Sequence, residues 1–504
     1  MSKRGIKLCL LTLCLSACLL LCGCTAQISE RPMEDLSAND IPAQTAAPQR
    51  DGVDAREEYV TLYFLDESGT MLRPVVRKIA CESGMSRAEA AVHALLRGPM
   101  GDEEGAMWPD IGAARNGRFV ETAAGIATVN LPARARTLPQ EMLYAVRMAI
   151  ASTLTEFAEI SHVNVLIGGR EEGLDLGATL PVGTFSRLED LDAGARYSRL
   201  QEQRLSASGV TLLTTLYFPS QDGTMIVPQV RSMAYSQISP IEYLYTLLAE
   251  MGKGAGQELC MQDVPAPMDY ITEMPEIVRT EDGYMAIELC FNDALEQEIK
   301  DAGLTLGTYM AMLTDTLMGF VPGVEGLKVS VGERTVTGLK QDETLDGREM
   351  TFEQTLATRD DFTGYVASVQ TLYAMDDSGG LKRVSCLLEQ SSAQDARTRL
   401  GALMRLDEEG LFALPDGLTD EDVLAVHTYE KEIVLNLSGR FADKLSALSQ
   451  ERERAAVYAI VNTLTEGTEI RQVRFFFEGE QRETLAGGLE MRGAFMRNPG
   501  MVVN

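Results

Sequence analysis

The ten residues TLYFLDESGT, at Thr61–Thr70, decide the fold because the chain repeats them twice. Close copies read TLYFPSQDGT at Thr215–Thr224 and TLYAMDDSGG at Thr371–Gly380. The tyrosine at the third position of each copy recurs after 154 and then 156 residues, as Tyr63, Tyr217 and Tyr373. Solenoid repeats span about 20–50 residues, whereas this interval is the length of a small domain. The sequence therefore predicts tandem domains.

Each copy begins a predicted β-hairpin. Strand-forming residues lead into a turn whose glycine lies six positions after the tyrosine, as Gly69, Gly223 and Gly379. Glycine adopts the positive φ of a tight turn at no steric cost. Pro74 and Pro228 both fall eleven positions after the tyrosine. Because proline donates no hydrogen bond to a ladder, the second strand is predicted to lie at a sheet edge or to carry a bulge.

Two helices and two further strands follow each hairpin. The short helix is predicted from capping-box patterns at Ser86 and Glu89, Ser239 and Glu242, and Ser391 and Gln394. The long helix is predicted from an apolar stripe, Leu143, Val146, Ile150, Leu154 and Phe157, which recurs 163 residues later. Apolar strands such as GIATVNLP and HVNVLIGG flank the long helix. The predicted order is β-β-α-β-α-β, with at least one more strand left open in the loop region.

This order predicts an α+β fold in which a small mixed sheet carries two helices on one face. Three such domains are predicted at residues 58–187, 208–345 and 362–490, hereafter repeats 1, 2 and 3. Each is long enough to bury its own core. The linkers between them are acidic and polar, and their charges are also compatible with a short helix.

The N-terminal residues predict a membrane-anchored protein. Residues 1–23 are predicted to be a lipoprotein signal peptide, because three early basic residues precede an apolar run that is too short for a comfortable bilayer span. LCGC, at 21–24, resembles a bacterial lipobox, in which Cys24 receives a diacylglyceryl group, and two acyl chains hold a protein stably on a membrane. A plain secretory signal or an uncleaved anchor is the alternative. Residues 24–57 are polar and are predicted to be a disordered tether.

Composition limits the partners and the cysteine chemistry. The 504-residue chain has a formal net charge of −29, which disfavours nucleic acid and anionic membrane surfaces as electrostatic partners. Four cysteines lie beyond the N-terminal region, Cys81, Cys260, Cys290 and Cys386. Their spacing does not choose among the possible pairings, and buried free thiols are favoured over disulfides.

The repeats resemble the GerMN domain of sporulation and spore germination proteins. The resemblance rests on YVTLYFLDESGTMLRPVVRKI, SRAEAAVHALLRGP, GIATVNLP, ASTLTEF and HVNVLIGG in repeat 1, and on matching pieces in the other two repeats. It covers most of residues 58–490 and implies a fold similar to ring-building modules of sporulation and secretion assemblies. It also implies a non-catalytic, extracytoplasmic lipoprotein that meets other envelope or sporulation proteins and can oligomerise. Family members often carry one or two such domains, so three copies leave the exact role open.

Few residues suggest chemistry. His93, His162 and His427 occupy non-equivalent places in the repeats, unlike a site built into the repeat itself. The loop GKGAG, at 252–256, has its lysine ahead of the glycines and does not fit a phosphate-binding loop. The acidic turns lack the alternating carboxylates of a calcium loop and fit ordinary turn chemistry. No catalytic residue, cofactor or metal is predicted, and the recurrent tyrosines are predicted to be core or near-core aromatics with bonded hydroxyls.

Repetition without a catalytic constellation favours a binding or assembly protein. A lipoprotein that captures a solute or a wall component is the alternative. A cell-wall hydrolase is a weaker alternative, because no acid–base pair stands out within a single repeat.

Overall fold

The computed structural model describes residues 46–503 except for 83–84, 114–117, 175–178, 206–208, 257–258, 391–394 and 408. The predicted signal peptide, Cys24 and the first part of the predicted tether lie outside these residues. From Ala46 onward the chain forms one compact unit. In the part that the structure describes, no helix is both long enough and apolar enough to cross a membrane.

Each repeat begins with the predicted antiparallel hairpin. Its strands are Arg56–Asp66 with Leu72–Cys81, Val210–Pro219 with Ile226–Tyr235, and Ala367–Met375 with Leu381–Glu389. The turn glycines have φ values of 74°, 73° and 83°, as their positions predict. Pro74 pairs with Tyr63 and Pro228 with Tyr217. The proline strand is an edge strand of its sheet in both repeats, which confirms the edge prediction.

A second sheet of four strands completes each repeat. In repeat 1 the strands are Val120–Ala123, Ile126–Leu131, His162–Ile167 and Phe185–Ser186. In repeat 2 they are Glu276–Arg279, Met285–Phe291, Gly326–Val331 and Arg334–Thr335. In repeat 3 they are Val423–Tyr429, Glu432–Leu437, Gln472–Phe477 and Phe495–Met496. The two central strands are parallel, and each outer strand is antiparallel to its neighbour. The first strand of each sheet is the one that the sequence left open, and the last strand of repeat 3 lies beyond the predicted boundary at 490.

The predicted helices are present, and shorter elements fill the connections. The short helices are Arg87–Leu96, Pro240–Met251 and Ala396–Met404, and the long helices are Gln140–Leu154, Leu306–Met318 and Gln450–Thr465. Further helices are Ala193–Leu205, Pro267–Tyr270, Ala294–Asp301 and Gly439–Ser446, and a small strand pair joins Gly338–Leu339 to Met350–Thr351. The strand Ala106–Met107 extends the first hairpin. Single 3-10 turns lie at Ala133–Thr137, Gln341–Glu343, Glu353–Thr355, Arg359–Phe362, Asp420–Asp422 and Pro499–Met501.

The predicted starts of the short helices are correct in part. The Ser86 hydroxyl accepts a hydrogen bond from the Glu89 N–H at 3.1 Å, as a capping serine should. The second helix begins directly after Ser239, but the Ser239 side chain makes no capping bond. In repeat 3 the predicted Ser391 lies outside the described residues, and Asp395 caps the helix instead.

The three repeats have separate cores, into which the predicted linkers also pack. Each core is a distinct cluster of buried apolar side chains. The cluster of repeat 1 includes Ala193 from the helix of the first linker. The cluster of repeat 2 includes Phe352 and Ala357 from the segment that leads to repeat 3. Both connecting segments are therefore parts of the folded unit.

The α+β class is confirmed, but the layers within each repeat differ from the prediction. One mixed sheet with both helices on one face was expected. Instead, the hairpin and the four-stranded sheet are separate sheets, and the long helix contacts both of them. The backbone shows why: the Tyr63 N–H, on the first hairpin strand, donates to Oγ1 of Thr153 in the long helix at 2.9 Å. A helix side chain thus occupies a backbone donor that a neighbouring strand would otherwise use.

Residues 46–57 are structured, so the prediction of a disordered tether over 24–57 is wrong for this part. Gly52–Val53 pairs in parallel with Val423–Tyr429 and becomes the fifth strand of the repeat 3 sheet. The first hairpin also starts at Arg56, ahead of the predicted boundary at 58. The polar composition of this segment suggested disorder. The segment is ordered by a sheet whose strands lie far along the chain, so the local sequence does not show it.

Candidate functional site

A hydrogen bond between the hairpin tyrosine and the long helix is common to all three repeats. The N–H groups of Tyr63, Tyr217 and Tyr373 donate to Oγ1 of Thr153, Thr316 and Thr463, at 2.9, 2.9 and 3.0 Å respectively. We call each pair a tyrosine clamp. Each threonine lies in the last turn of its helix, in the sequences STL, DTL and NTL. The clamp holds the hairpin against the helix at the same point in every repeat.

The tyrosine hydroxyl has a glutamate partner in repeats 1 and 3. Tyr63 donates to Glu156 at 2.9 Å, and Tyr373 donates to Glu466 at 3.0 Å. Each glutamate follows its clamp threonine by three residues, and the same position in repeat 2 is Gly319. The prediction of packed tyrosines with bonded hydroxyls is confirmed for these two repeats.

In repeat 2 the tyrosine hydroxyl faces the neighbouring parts of the chain. The Tyr217 oxygen lies 3.3 Å from Oγ1 of Thr128, on a central strand of the repeat 1 sheet. It also accepts a long hydrogen bond, 3.5 Å, from Nη2 of Arg359 in the segment that leads to repeat 3. Burial raises the pKa of Tyr217, so this hydroxyl is neutral. The second clamp is therefore a meeting point between repeats.

Four buried charged side chains surround this meeting point: Arg118, Glu121, Asp315 and Arg359, hereafter the junction cluster. Arg118 bonds through Nε to Glu121 and through Nη2 to Asp315, both at 2.7 Å. Arg359 bonds through Nε to the same Asp315 oxygen at 2.7 Å. Two positive and two negative groups, drawn from repeat 1, repeat 2 and the connecting segment, thus neutralise one another.

The electrostatics of the junction cluster favour specificity over stability. Burial works to lower the pKa of Arg118, but the carboxylates of Asp315 and Glu121 raise it overall. Replacing such a cluster by apolar residues is often neutral, whereas removing one member leaves a buried charge without its partner. We infer that the junction cluster fixes how repeat 1 fits against repeat 2.

Repeat 3 contacts both of the other repeats. The Gln390 side chain forms a pair of hydrogen bonds, of 3.2 and 2.8 Å, with the backbone of Thr122 on the repeat 1 sheet. The Ile226 N–H donates to the Tyr365 carbonyl at 2.8 Å, beside an isolated bridge to Val366. The three repeats therefore interlock within the unit.

A cavity of about 620 Å³ opens next to the junction cluster. Its walls carry both charges and one aromatic ring, from Arg136, Arg170, Tyr284, Glu325, Glu353 and Asp360 among others. Gln354 and Thr355, on the connecting segment, have φ values of 55° and 60°. A positive φ is rare for a β-branched residue such as threonine. The connecting segment is therefore strained at Thr355, next to the lining residue Gln354.

None of the three histidines joins a reactive cluster in the described part of the chain. His93 lies on the first short helix. His162 has Nδ1 2.9 Å from the Ser161 hydroxyl, and burial lowers its pKa. His427 has Nε2 3.1 Å from an Asp54 carboxylate oxygen. Among the described residues, no group of three or more His, Cys, Asp or Glu side chains is arranged to hold a metal ion.

The described cysteines are thiols and not disulfides, as the sequence favoured: Cys81, Cys260, Cys290 and Cys386. Burial raises the pKa of Cys260 to about 11, and it also raises the pKa of Cys386. A thiol with a raised pKa is a poor nucleophile at neutral pH. Cys260 and Cys386 therefore behave as packing residues.

The turns and the glycine-rich loop have ordinary structural roles. The Asp66 carboxylate accepts hydrogen bonds from the Ser68 hydroxyl and from the N–H of Met71, which closes the first hairpin turn. The GKGAG loop follows the second short helix, and its Lys253 pairs with Glu250 of that helix. Turn chemistry accounts for both features.

The sequence did not predict the junction cluster. Its local signal is Asp315, an acid inside the otherwise apolar run MAMLTDTLMGF. The arginines of the cluster look like surface residues in the sequence, because their partners lie up to 241 positions away. A buried acid on a helix that is apolar all round could have been singled out as a residue in need of a cationic partner.

The fold and these contacts define a tandem-repeat α+β protein whose repeats are joined through buried polar groups. Residues 61–173 and 371–483 match the model of the family Germane, described as "Sporulation and spore germination". The matches fall on repeats 1 and 3 and together cover a little under half of the chain. Repeats 1 and 3 are therefore similar to this family. Repeat 2 shares their hairpin, tyrosine clamp and four-stranded sheet.

Among solved structures, the chain is similar to the tandem GerMN domains of the sporulation protein GerM from Bacillus subtilis. That comparison has 16% identity, 58% coverage of this chain, 99% coverage of that chain and a TM-score of 0.21. The first GerMN domain of the same protein gives 21% identity, 26% and 97% coverage, and a TM-score of 0.22. No curated protein sequence matches the chain.

Proposed function

We propose that this chain is a lipid-anchored, extracytoplasmic protein that assembles with other envelope proteins in sporulation or spore germination and catalyses no reaction. The observation that carries the proposal is the family match in repeats 1 and 3, since its description names sporulation and germination. The interlocked repeats support it. The buried charges of the junction cluster bind one another and hold surfaces in place.

Anchoring through Cys24 is the part of the proposal that comes from the lipobox-like LCGC at 21–24. Twenty-one residues lie between Cys24 and Ala46, where the folded unit begins. Fully extended, they reach about 75 Å. This reach would let the unit meet partners beyond the lipid head groups.

Labelling with an alkyne fatty acid tests the anchor, and the neighbouring cysteine offers a matched control. Cys22→Ser should incorporate the label and remain with the membrane fraction. Cys24→Ser should lose the label and leave that fraction. Undiminished labelling of Cys24→Ser would show that Cys24 is not the anchor.

Deletion of the coding sequence tests the cellular role. Spore yield and germination should fall, and they should recover with the wild-type chain but not with Cys24→Ser. A deletion strain that sporulates and germinates like its parent contradicts the proposal.

Binding of a wall component is a second candidate function, and the cavity of about 620 Å³ is the observation that favours it. A wall with both charges and a tyrosine suits a zwitterionic peptide or glycopeptide. A panel of wall-derived muropeptides should raise the melting temperature of the wild-type chain but not of Tyr284→Ala. If no muropeptide shifts the melting temperature of either chain, this candidate fails.

A further inference from the structure

The chain's own N-terminal segment occupies the edge of the repeat 3 sheet. Residues 48–54, hereafter the strap, include the strand Gly52–Val53, which pairs in parallel with His427 and Thr428. The Asp54 N–H extends the ladder by donating to the Thr428 carbonyl at 2.8 Å. The strap therefore adds one strand to a sheet that belongs to a different repeat.

The strap is held by a charged side chain as well as by its backbone. The Asp51 carboxylate accepts two hydrogen bonds from the Arg397 guanidinium, at 2.5 and 2.9 Å, and a third from the Val426 N–H at 2.8 Å. The Arg397 contact above all lowers the pKa of Asp51, so the carboxylate is ionised at neutral pH. A bidentate arginine–carboxylate pair imposes its geometry on both partners.

Position 52 accepts only glycine. A Cβ atom there would lie 2.5 Å from Cε1 of the His427 ring. The His427 ring is held in place, because it stacks on Tyr429 with 4.2 Å between the ring centroids and its Nε2 lies 3.1 Å from Asp54. The edge thus fits the pattern Asp-Gly-x-Asp, and this pattern occurs once in the chain, at 51–54.

We propose that this edge is a strand-acceptor site for the Asp-Gly-Val-Asp segment, filled in cis within one chain and in trans by the strap of a second copy. A second copy is the occupant that fits, because its strap carries the same residues at the same spacing. Exchange of a strap between copies recreates every contact of the cis arrangement, which makes it a low-cost route to a dimer. High local concentration favours the exchanged form.

Two variants that each break one side of the contact test the exchange. Gly52→Val has a defective strap and an intact acceptor, and Arg397→Ala has an intact strap and a defective acceptor. Each variant alone should be largely monomeric, and an equimolar mixture should form a one-to-one complex on size exclusion with light scattering. Absence of the complex in the mixture overturns the proposal. Gly101→Val is the matched glycine control, because its Cβ would meet no atom within 4 Å, and it should not complement Arg397→Ala.

A peptide covering residues 46–55 supplies an independent readout. The labelled peptide should bind the Gly52→Val chain, whose acceptor is open, and bind at least about tenfold more weakly when its Asp51 is replaced by Ala. It should bind the double variant Gly52→Val/Arg397→Ala equally weakly. Equal binding to both chains overturns the proposal. So does failure to bind Gly52→Val when hydrogen exchange shows that Val423–Tyr429 has lost its neighbouring strand.

Discussion

Arg118 of repeat 1 and Asp315 of repeat 2 are joined by two hydrogen bonds, of 2.7 and 3.2 Å, between side chains that are both buried. The two residues are 197 positions apart in the chain. Arg359, from the segment before repeat 3, binds the same carboxylate. One aspartate therefore ties together two repeats and the segment that leads to the third.

Replacing Arg118 by Met should lower the free energy of unfolding by about 3–5 kcal/mol, because Asp315 then keeps a buried charge without its main partner. Urea unfolding can be followed through Trp108, the one tryptophan of the chain, which packs against Phe64 in repeat 1. Arg199→Met is the control, since its ion pair is exposed, and it should leave the curve unchanged. Similar curves for the two variants would refute the role given to the junction cluster.

The tyrosine clamp makes a separate prediction. Thr316→Val removes the hydroxyl that accepts the buried Tyr217 N–H and should cost about 1–3 kcal/mol, whereas Thr316→Ser keeps the hydroxyl and should cost less. Hydrogen exchange at the Tyr217 amide should speed up in the valine variant only. Thr61→Val, on the outer face of the first hairpin, is the control for the loss of a threonine hydroxyl. Equal exchange rates in the valine and serine variants would mean that the hydroxyl does not hold the strand.

Glu171 predicts how stability depends on pH. Burial raises its pKa to about 7, although Arg147 lies 3.2 Å away and works in the opposite direction. An unfolded glutamate has a pKa of about 4.3, so the folded state binds the proton more tightly. Its stabilisation is complete below about pH 4 and is lost as the pH rises through about 7.

Glu171→Gln carries a neutral side chain at every pH and removes this dependence. The variant should be as stable as the wild type near pH 4 and more stable by about 2–4 kcal/mol near pH 8. Melting temperatures across this range measure the difference. Two parallel profiles would argue that Glu171 is ionised in the folded protein.

The absence of disulfides among the described cysteines predicts the result of alkylation. In the unit that begins at Ala46, Cys260 should resist alkylation in the folded state, because burial raises its pKa and leaves little thiolate. All four cysteines should react after unfolding, without a reductant. Mass spectrometry counts the added groups. A species that needs a reductant before it reacts would reveal a disulfide.

Local signals were sufficient to predict the hairpins and the helices. Gly69 lies where a tight turn needs positive φ, and the stripe from Leu143 to Leu154 lies on a buried helix, because both depend on residues close together in the chain. The recurrence of Tyr63 marked a position of structural importance. Its partner Thr153 also recurs, but the bond between them depends on where the helix packs against the strand.

Contacts between distant segments could not be predicted in this way. Gly52 lies in a polar stretch that resembles a tether, and it is ordered by His427 on a sheet of another repeat. Arg359 lies in a charged linker, and its burial depends on the assembly of all three repeats. In both cases the stabilising free energy comes from tertiary contacts, and the local sequence carries little information about these contacts.

Small-angle X-ray scattering from the chain that begins at Ala46 tests most directly whether the three repeats form one interlocked body. A compact unit of this length has a radius of gyration of about 23 Å, and we predict this value with a single-peaked distance distribution. A radius of gyration well above about 30 Å, with separate maxima in the distance distribution, would show that the repeats are independent domains without fixed contacts.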